Sequence, residues 1–104
     1  MQMLKISKSK VEAELKGFIG ADVYIHSEAT SFGFVRNVKV NVTDSFIAGE
    51  GPFRVALRFD GHGWLRMEAL THYEADEDRL LLAGYDDRGR MNVALHLGKE
   101  PFPE

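Results

Sequence analysis

The chain lacks cysteine altogether. That excludes a disulfide framework, cysteine-ligated zinc, iron–sulfur clusters and any thiol nucleophile. Long apolar runs are missing too. No stretch approaches the ~18 consecutive apolar residues of a membrane-spanning helix. The opening MQMLKISKSKVEAELKGF is charged every few residues, so it holds no apolar signal-peptide core. Positive charge is in short supply, with 13 Lys and Arg against 16 Asp and Glu and a net charge of −3. Such a chain is a poor prior for a protein that reads a phosphate backbone. The expectation is a cytoplasmic protein with no membrane segment.

Chemical signatures are equally sparse. The four histidines, His26, His62, His72 and His96, form no HExxH. His26 and Glu28 make an HxE, but the zinc deaminases that use HxE also need a PCxxC, which a cysteine-free chain does not have. There is no GxSxG elbow. The glycines of GEGP (Gly49–Pro52) and GHG (Gly61–Gly63) do not lead from a strand into a helix, so neither is a phosphate cradle. The acidic THYEADED (Thr71–Asp78) lacks the glycine and terminal glutamate of a calcium loop and reads as a strand end followed by a solvated acidic turn. No metal and no cofactor is expected.

What is present builds a fold. One hundred and four residues, 44% hydrophobic and 28% charged, are expected to make one domain, residues 1–104, with a core of its own. Val11, Leu15, Phe18 and Ile19 form one stripe at helical period. A helix of about three turns is expected, capped by Ser7 or Ser9, enclosing Gly17 and ending at Gly20. Everything after Ala21 reads as short strands. Asp22–Glu28 sets Val23 and Ile25 against Tyr24, His26 and Glu28. Phe32, Phe34, Val38, Val40 and Val42 alternate, with a bend expected at Gly33 and a turn at Thr43–Ser45 before a short Phe46–Ala48 strand.

Two hairpins follow. Three-residue loops keep both apolar rows together. Gly61–His62–Gly63 would place Phe59 opposite Leu65, Leu57 opposite Met67, Val55 opposite Ala69 and Arg58 opposite Arg66. Asp87–Arg88–Gly89 would place Tyr85 opposite Met91, Ala83 opposite Val93 and Leu81 opposite Leu95. Gly63 and Gly89 are expected at positive φ. The fold class is therefore α+β, mainly antiparallel β: seven or so short strands in a curled sheet or partly open barrel, with one N-terminal helix.

Two groups of residues could carry function. Arg54, Arg58 and Arg66 share the solvent side of the first hairpin, with Glu68 on the same face and Trp64 at its edge. Arg and Trp are favoured at binding hot spots, so this face suits an acidic partner or a small anion. The plainer account is that the arginine stems splay over apolar surface. The second group is His26, Glu28 and Tyr24, near the expected mouth of the barrel.

The stretches GEGPFRVALRF, Gly63–Trp64, Glu68–Thr71 (EALT) and LLLAGYDDRGRMNVAL, with DVYIHSEA after the helix, resemble the YojF-like proteins of bacilli and their relatives. The resemblance weakens across Thr30–Asn37, where that family typically carries a longer insertion. It implies a small, mostly β protein. It also implies, from gene neighbourhood, an accessory role beside a zinc-dependent amidohydrolase of the bacillithiol pathway. The leading reading is a non-catalytic binding or accessory protein, with a homodimer expected from an open sheet edge. The alternative is a small-molecule binder or weak hydrolase built on His26, Glu28 and Tyr24. A third is a single-strand nucleic acid binder, which aromatic residues favour and the net charge opposes.

Overall fold

A computed structural model describes residues 3–29 and 33–103. Among these the elements run β1 (Leu4–Lys5), α1 (Lys8–Lys16), β2 (Asp22–Ala29), β3 (Gly33–Gly49), β4 (Phe53–Phe59), β5 (Trp64–Leu70), β6 (His72–Ala75), β7 (Arg79–Tyr85) and β8 (Met91–Gly98). The strands form one eight-stranded sheet in the order β1-β6-β7-β8-β2-β3-β4-β5. Every neighbouring pair is antiparallel. The α+β, mainly antiparallel architecture with one helix is therefore what the chain adopts.

The sheet curls but does not close. β5, at one end of the order, packs against β7 and β8. There the Ala69 carbonyl sits so near Gly84 that a β-carbon at Gly84 would collide with it, and Thr71 N–H donates to Ala83 O at 2.9 Å. The inner face carries the core: Val23, Ile25, Val42, Val55, Leu57, Leu80, Leu82, Leu95 and Leu97, with Val11, Leu15 and Phe18 from the helical segment. Each such side chain stabilises the fold by ~1.5–3 kcal/mol through burial.

The helix is shorter than its apolar stripe predicts. Ser7 is the N-cap, and its carbonyl accepts from Val11 N–H at 2.9 Å. Ile6 packs on the core next to it. At the other end Phe18 N–H bonds to Leu15 O and Ile19 N–H to Lys16 O. These three-residue steps tighten and end the last turn. Gly17 is thus the C-cap rather than an interior residue, Gly20 has φ 81°, and Ile19 points to solvent.

The strands depart from the period-two reading wherever a β-bulge inserts one residue, because a single insertion flips every side chain beyond it. β3 runs for 17 residues without the turn expected at Thr43–Ser45; it begins at Gly33, so the segment holding the bend expected there lies partly outside the described residues. One bulge lies opposite His26, where Asn37 has φ 54°, and another lies between Val42 and Asp44. The first pairs Phe34 with Glu28 and Val35 with Ser27, so Phe34 joins the outer face and Val35 the inner one. Phe32, expected in the same row, lies outside the described residues.

The first hairpin keeps its odd loop but slides by two residues. Phe59 N–H donates to Gly63 O, so the loop is Asp60–Gly61–His62, and Leu57 faces Leu65 while Val55 faces Met67. The expected Phe59–Leu65 and Leu57–Met67 pairs are not formed. A second glycine lets the turn begin earlier: Gly61 has φ 85° beside the expected positive φ at Gly63, and Asp60 N–H is anchored on Asn41 O. The expected Val55–Ala69 pair goes with the same slide, and a bulge at Ala69, which has φ 62°, shifts the ladder once more before Phe53 meets Leu70. In the second hairpin Tyr85 meets Met91 and Gly89 has φ 74°, both as expected. A bulge at Asn92 then places Leu82, not Leu81, opposite Leu95, and Leu81 opposite His96.

Candidate binding face

On β3, β4 and β5 the residues between core positions share one outer face. Register places Phe46, Ala56 and Arg66 in one row and Asp44, Arg58 and Trp64 in the next, with Ala48 and Arg54 beyond them. Arg58 therefore faces Trp64 and Arg66 faces Ala56, so the like-charge pair expected between Arg58 and Arg66 does not exist. Ala56 contributes only a methyl to the middle of this face. The rings of Phe46 and Trp64 stack with centroids 5.8 Å apart and planes 28° apart. They line a shallow depression with Arg54, Ala56 and Arg66. Phe46 is 49% exposed and Trp64 59%.

The cations are only partly neutralised within the fold. Arg66 Nη2 lies 3.4 Å from Glu68 Oε2, with both side chains largely in water. Such a pair contributes little, on the order of 0–1 kcal/mol. The Arg58 guanidinium carbon is 5.6 Å from the Trp64 ring centroid, within cation–π range. Arg54 has no ion pair among the described residues. The result is an apolar stacked pair bracketed by three guanidinium groups, a surface suited to carboxylates and planar groups. The sequence places Arg54, Arg58, Arg66 and Trp64 together correctly. It misses Phe46, because strict alternation from Val42 would set Phe46 on the core side, and only the bulge between Val42 and Asp44 turns it outward.

His26 and Glu28 stand elsewhere, on the outer face of β2, which β3 separates from β4. His26 Nδ1 is 3.2 Å from Arg36 Nη1, and its ring meets Phe34 edge-on at 5.1 Å. Across the ladder His26 pairs with His96, Glu28 with Ala94, and Tyr24 with Gly98. The chain then folds back over this face. Phe102 packs on His96 at 4.4 Å, and its backbone N–H and C=O both bond the Asn37 carboxamide at 2.8 Å. Arg36 donates to the Pro103 carbonyl, and Arg79 lies over the Phe102 ring at 5.1 Å.

Burial holds the His96 imidazole below its ordinary pKa, and the nearby charges of Arg79, His26 and Arg36 push the same way, against Asp76. Beside it Glu74 keeps one carboxylate oxygen buried without a hydrogen-bond partner. Among the described residues no three His, Asp or Glu side chains converge as a metal-ligand set. No sequence signal marks Arg36, Asn37 or Phe102, since each acts across a distant pairing.

A family model described as a protein of unknown function (DUF1806) matches residues 5–102. The chain is 35% identical to the uncharacterized protein YojF of Bacillus subtilis (strain 168), over 96% of this chain and 98% of that one. The alignment spans 115 positions against 104 residues here, so the relative carries residues that this chain lacks. The crystal structure of the Bacillus subtilis YojF protein superposes with a TM-score of 0.91 at 37% identity, covering 100% of both chains. No helix among the described residues is long and apolar enough to cross a membrane.

Proposed function

The chain belongs to the DUF1806 family, and we propose that it is a non-catalytic binding or accessory protein that docks an acidic partner on the outer face of β3, β4 and β5. The observation that carries this reading is the exposed Phe46–Trp64 stack set among Arg54, Arg58 and Arg66 in a chain of net charge −3. Exposed rings flanked by cations gain little in the monomer. Against a partner they supply hot-spot area and electrostatic steering. The partner to try first is the zinc-dependent amidohydrolase that the family resemblance implies.

The test is capture of that enzyme by immobilised wild type and by Arg58→Glu. The variant should capture at least tenfold less at low salt, the difference should shrink at high salt, and the melting temperature should hold. Unchanged capture, with the effect confined to stability, would assign the arginines to stem packing instead. The same stacked rings favour a second reading, single-strand nucleic acid binding. Oligonucleotide binding that weakens steeply with salt and is lost in Trp64→Ala would select it.

A further inference from the structure

The arginine face ends at a free sheet edge. Among the described residues β5 is the last strand in the order and pairs only with β4. In an antiparallel ladder, residues bonded to the neighbour alternate with residues whose N–H and C=O point the other way. The bond from Phe59 N–H to Gly63 O at 3.1 Å fixes the phase. Leu65 and Met67 therefore bond to β4, while Trp64 and Arg66 direct their backbone groups outward. These are the residues whose side chains stand on the arginine face.

The edge is not open along its whole length. At its C-terminal end the Ala69 carbonyl lies on Gly84, and Thr71 bonds to Ala83. At its N-terminal end the curled sheet leaves a slot beside Trp64, lined by Ile25, Val35, Val38, Val40, Phe59 and Leu65. Val35 and Val38 remain exposed there. Three features thus meet at one place: unpaired backbone groups, an apolar slot on the inner side, and guanidinium groups on the outer side.

Resting on the docking role proposed above, we infer that the partner supplies an extended segment, alternating apolar and acidic residues, that adds to β5 as a ninth strand along Trp64–Met67. Successive side chains of a strand point to opposite faces. Apolar residues of the segment would enter the slot against Leu65 and Val38, and acidic residues would fall on the outer face near Arg66 and Arg54. Charge selects this occupant, because Arg54, Arg58 and Arg66 outnumber the outer-face acids Asp44 and Glu68. Main-chain bonds would supply the affinity and the two side-chain rows the specificity, as in other strand-addition complexes.

The experiment uses a seven-residue peptide alternating valine and glutamate, read by amide hydrogen exchange of the full chain. A second peptide of the same sequence is N-methylated at the residues whose N–H would face β5. Saturation with the first should slow exchange at Trp64 and Arg66 at least tenfold, with little change at Leu65 and Met67, which are already bonded. N-methylation should weaken binding at least tenfold, and Arg58→Glu should weaken it severalfold. If both peptides bind alike, with Trp64 and Arg66 still exchanging fast but with dependence on Arg58, strand addition is overturned and the docking face stands. If the amides are protected without any dependence on the arginines, the edge is upheld and the arginine reading fails. No binding of either peptide overturns strand addition. Slowing that grows with protein concentration alone overturns it in favour of a second copy on the edge.

Discussion

The two outer faces of this sheet are built alike and finished differently. On β2, β8 and β7 an aromatic–histidine cluster is covered by the chain's own end, with Phe102 only 6% exposed over Gly98 and His96. On β3, β4 and β5 a comparable aromatic pair is left half bare. Arginines serve both surfaces. Arg36 and Arg79 hold the covering segment down, whereas Arg58 reaches only the exposed Trp64 ring and Arg54 has no ion pair among the described residues. One face is completed within the molecule and the other is left half bare.

If that contrast is right, the covered face is worth far more to stability. Phe102→Ala should cost ~3–5 kcal/mol in urea unfolding, the range for deleting a buried phenylalanine. A loss under ~1 kcal/mol would show the cover to be ornamental and the two faces equivalent. Gly98→Ala should cost ~1–3 kcal/mol by overpacking. Its β-carbon would lie 2.9 Å from the Phe102 ring and 3.1 Å from the Glu100 carbonyl. A neutral result would mean that the cover lifts freely.

The covered face should also respond to pH. His96 is half-buried and its pKa lies below the ordinary imidazole value of about 6.5, so the native state resists a proton that the unfolded chain accepts. Stability should therefore fall as pH drops below about 6.5 and through the lowered native pKa, and His96→Gln should flatten that slope. The groups facing it are His26, Arg36, Arg79 and Asp76. An unchanged slope in the variant would move the dependence to other groups. On the bare face the effects should be smallest. Trp64→Ala should cost less than ~1 kcal/mol and Arg58→Glu less than ~0.5 kcal/mol, as usual for exposed positions. A larger loss from Arg58→Glu would sink the idea that this face is unused by the fold.

Local rules made much of this legible. Alternation in β4 and β5 is enough to bring Arg54, Arg58, Arg66 and Trp64 onto one side. Turn chemistry is enough to give Gly63 and Gly89 positive φ. The helix face follows from Val11 and Leu15. What stays hidden is each place where one inserted residue resets the parity. Asn37, Thr43, Ala69 and Asn92 carry no compositional mark of a bulge, yet they move Phe34 outward, carry β3 through an apparent turn, and exchange Leu81 for Leu82 in the core. Strand order is hidden for a different reason. Pairings such as His26 with His96 depend on the collapse of the whole chain, and so does the cluster they create.

The place of β8 in the sheet bears on how the molecule is made. β8 lies between β7 and β2, so Ile25 acquires its partner Leu97 only when nearly the whole chain exists. During synthesis β2 can pair on one side with β3, while its other edge waits through every hairpin in between. Such non-local pairing slows folding, and an open edge in the meantime invites association with other nascent chains. Truncation at the C-terminus accordingly removes a central plank rather than a tail. A chain stopped before Met91 would release a sheet split into two pieces, each with a raw edge where β8 belongs.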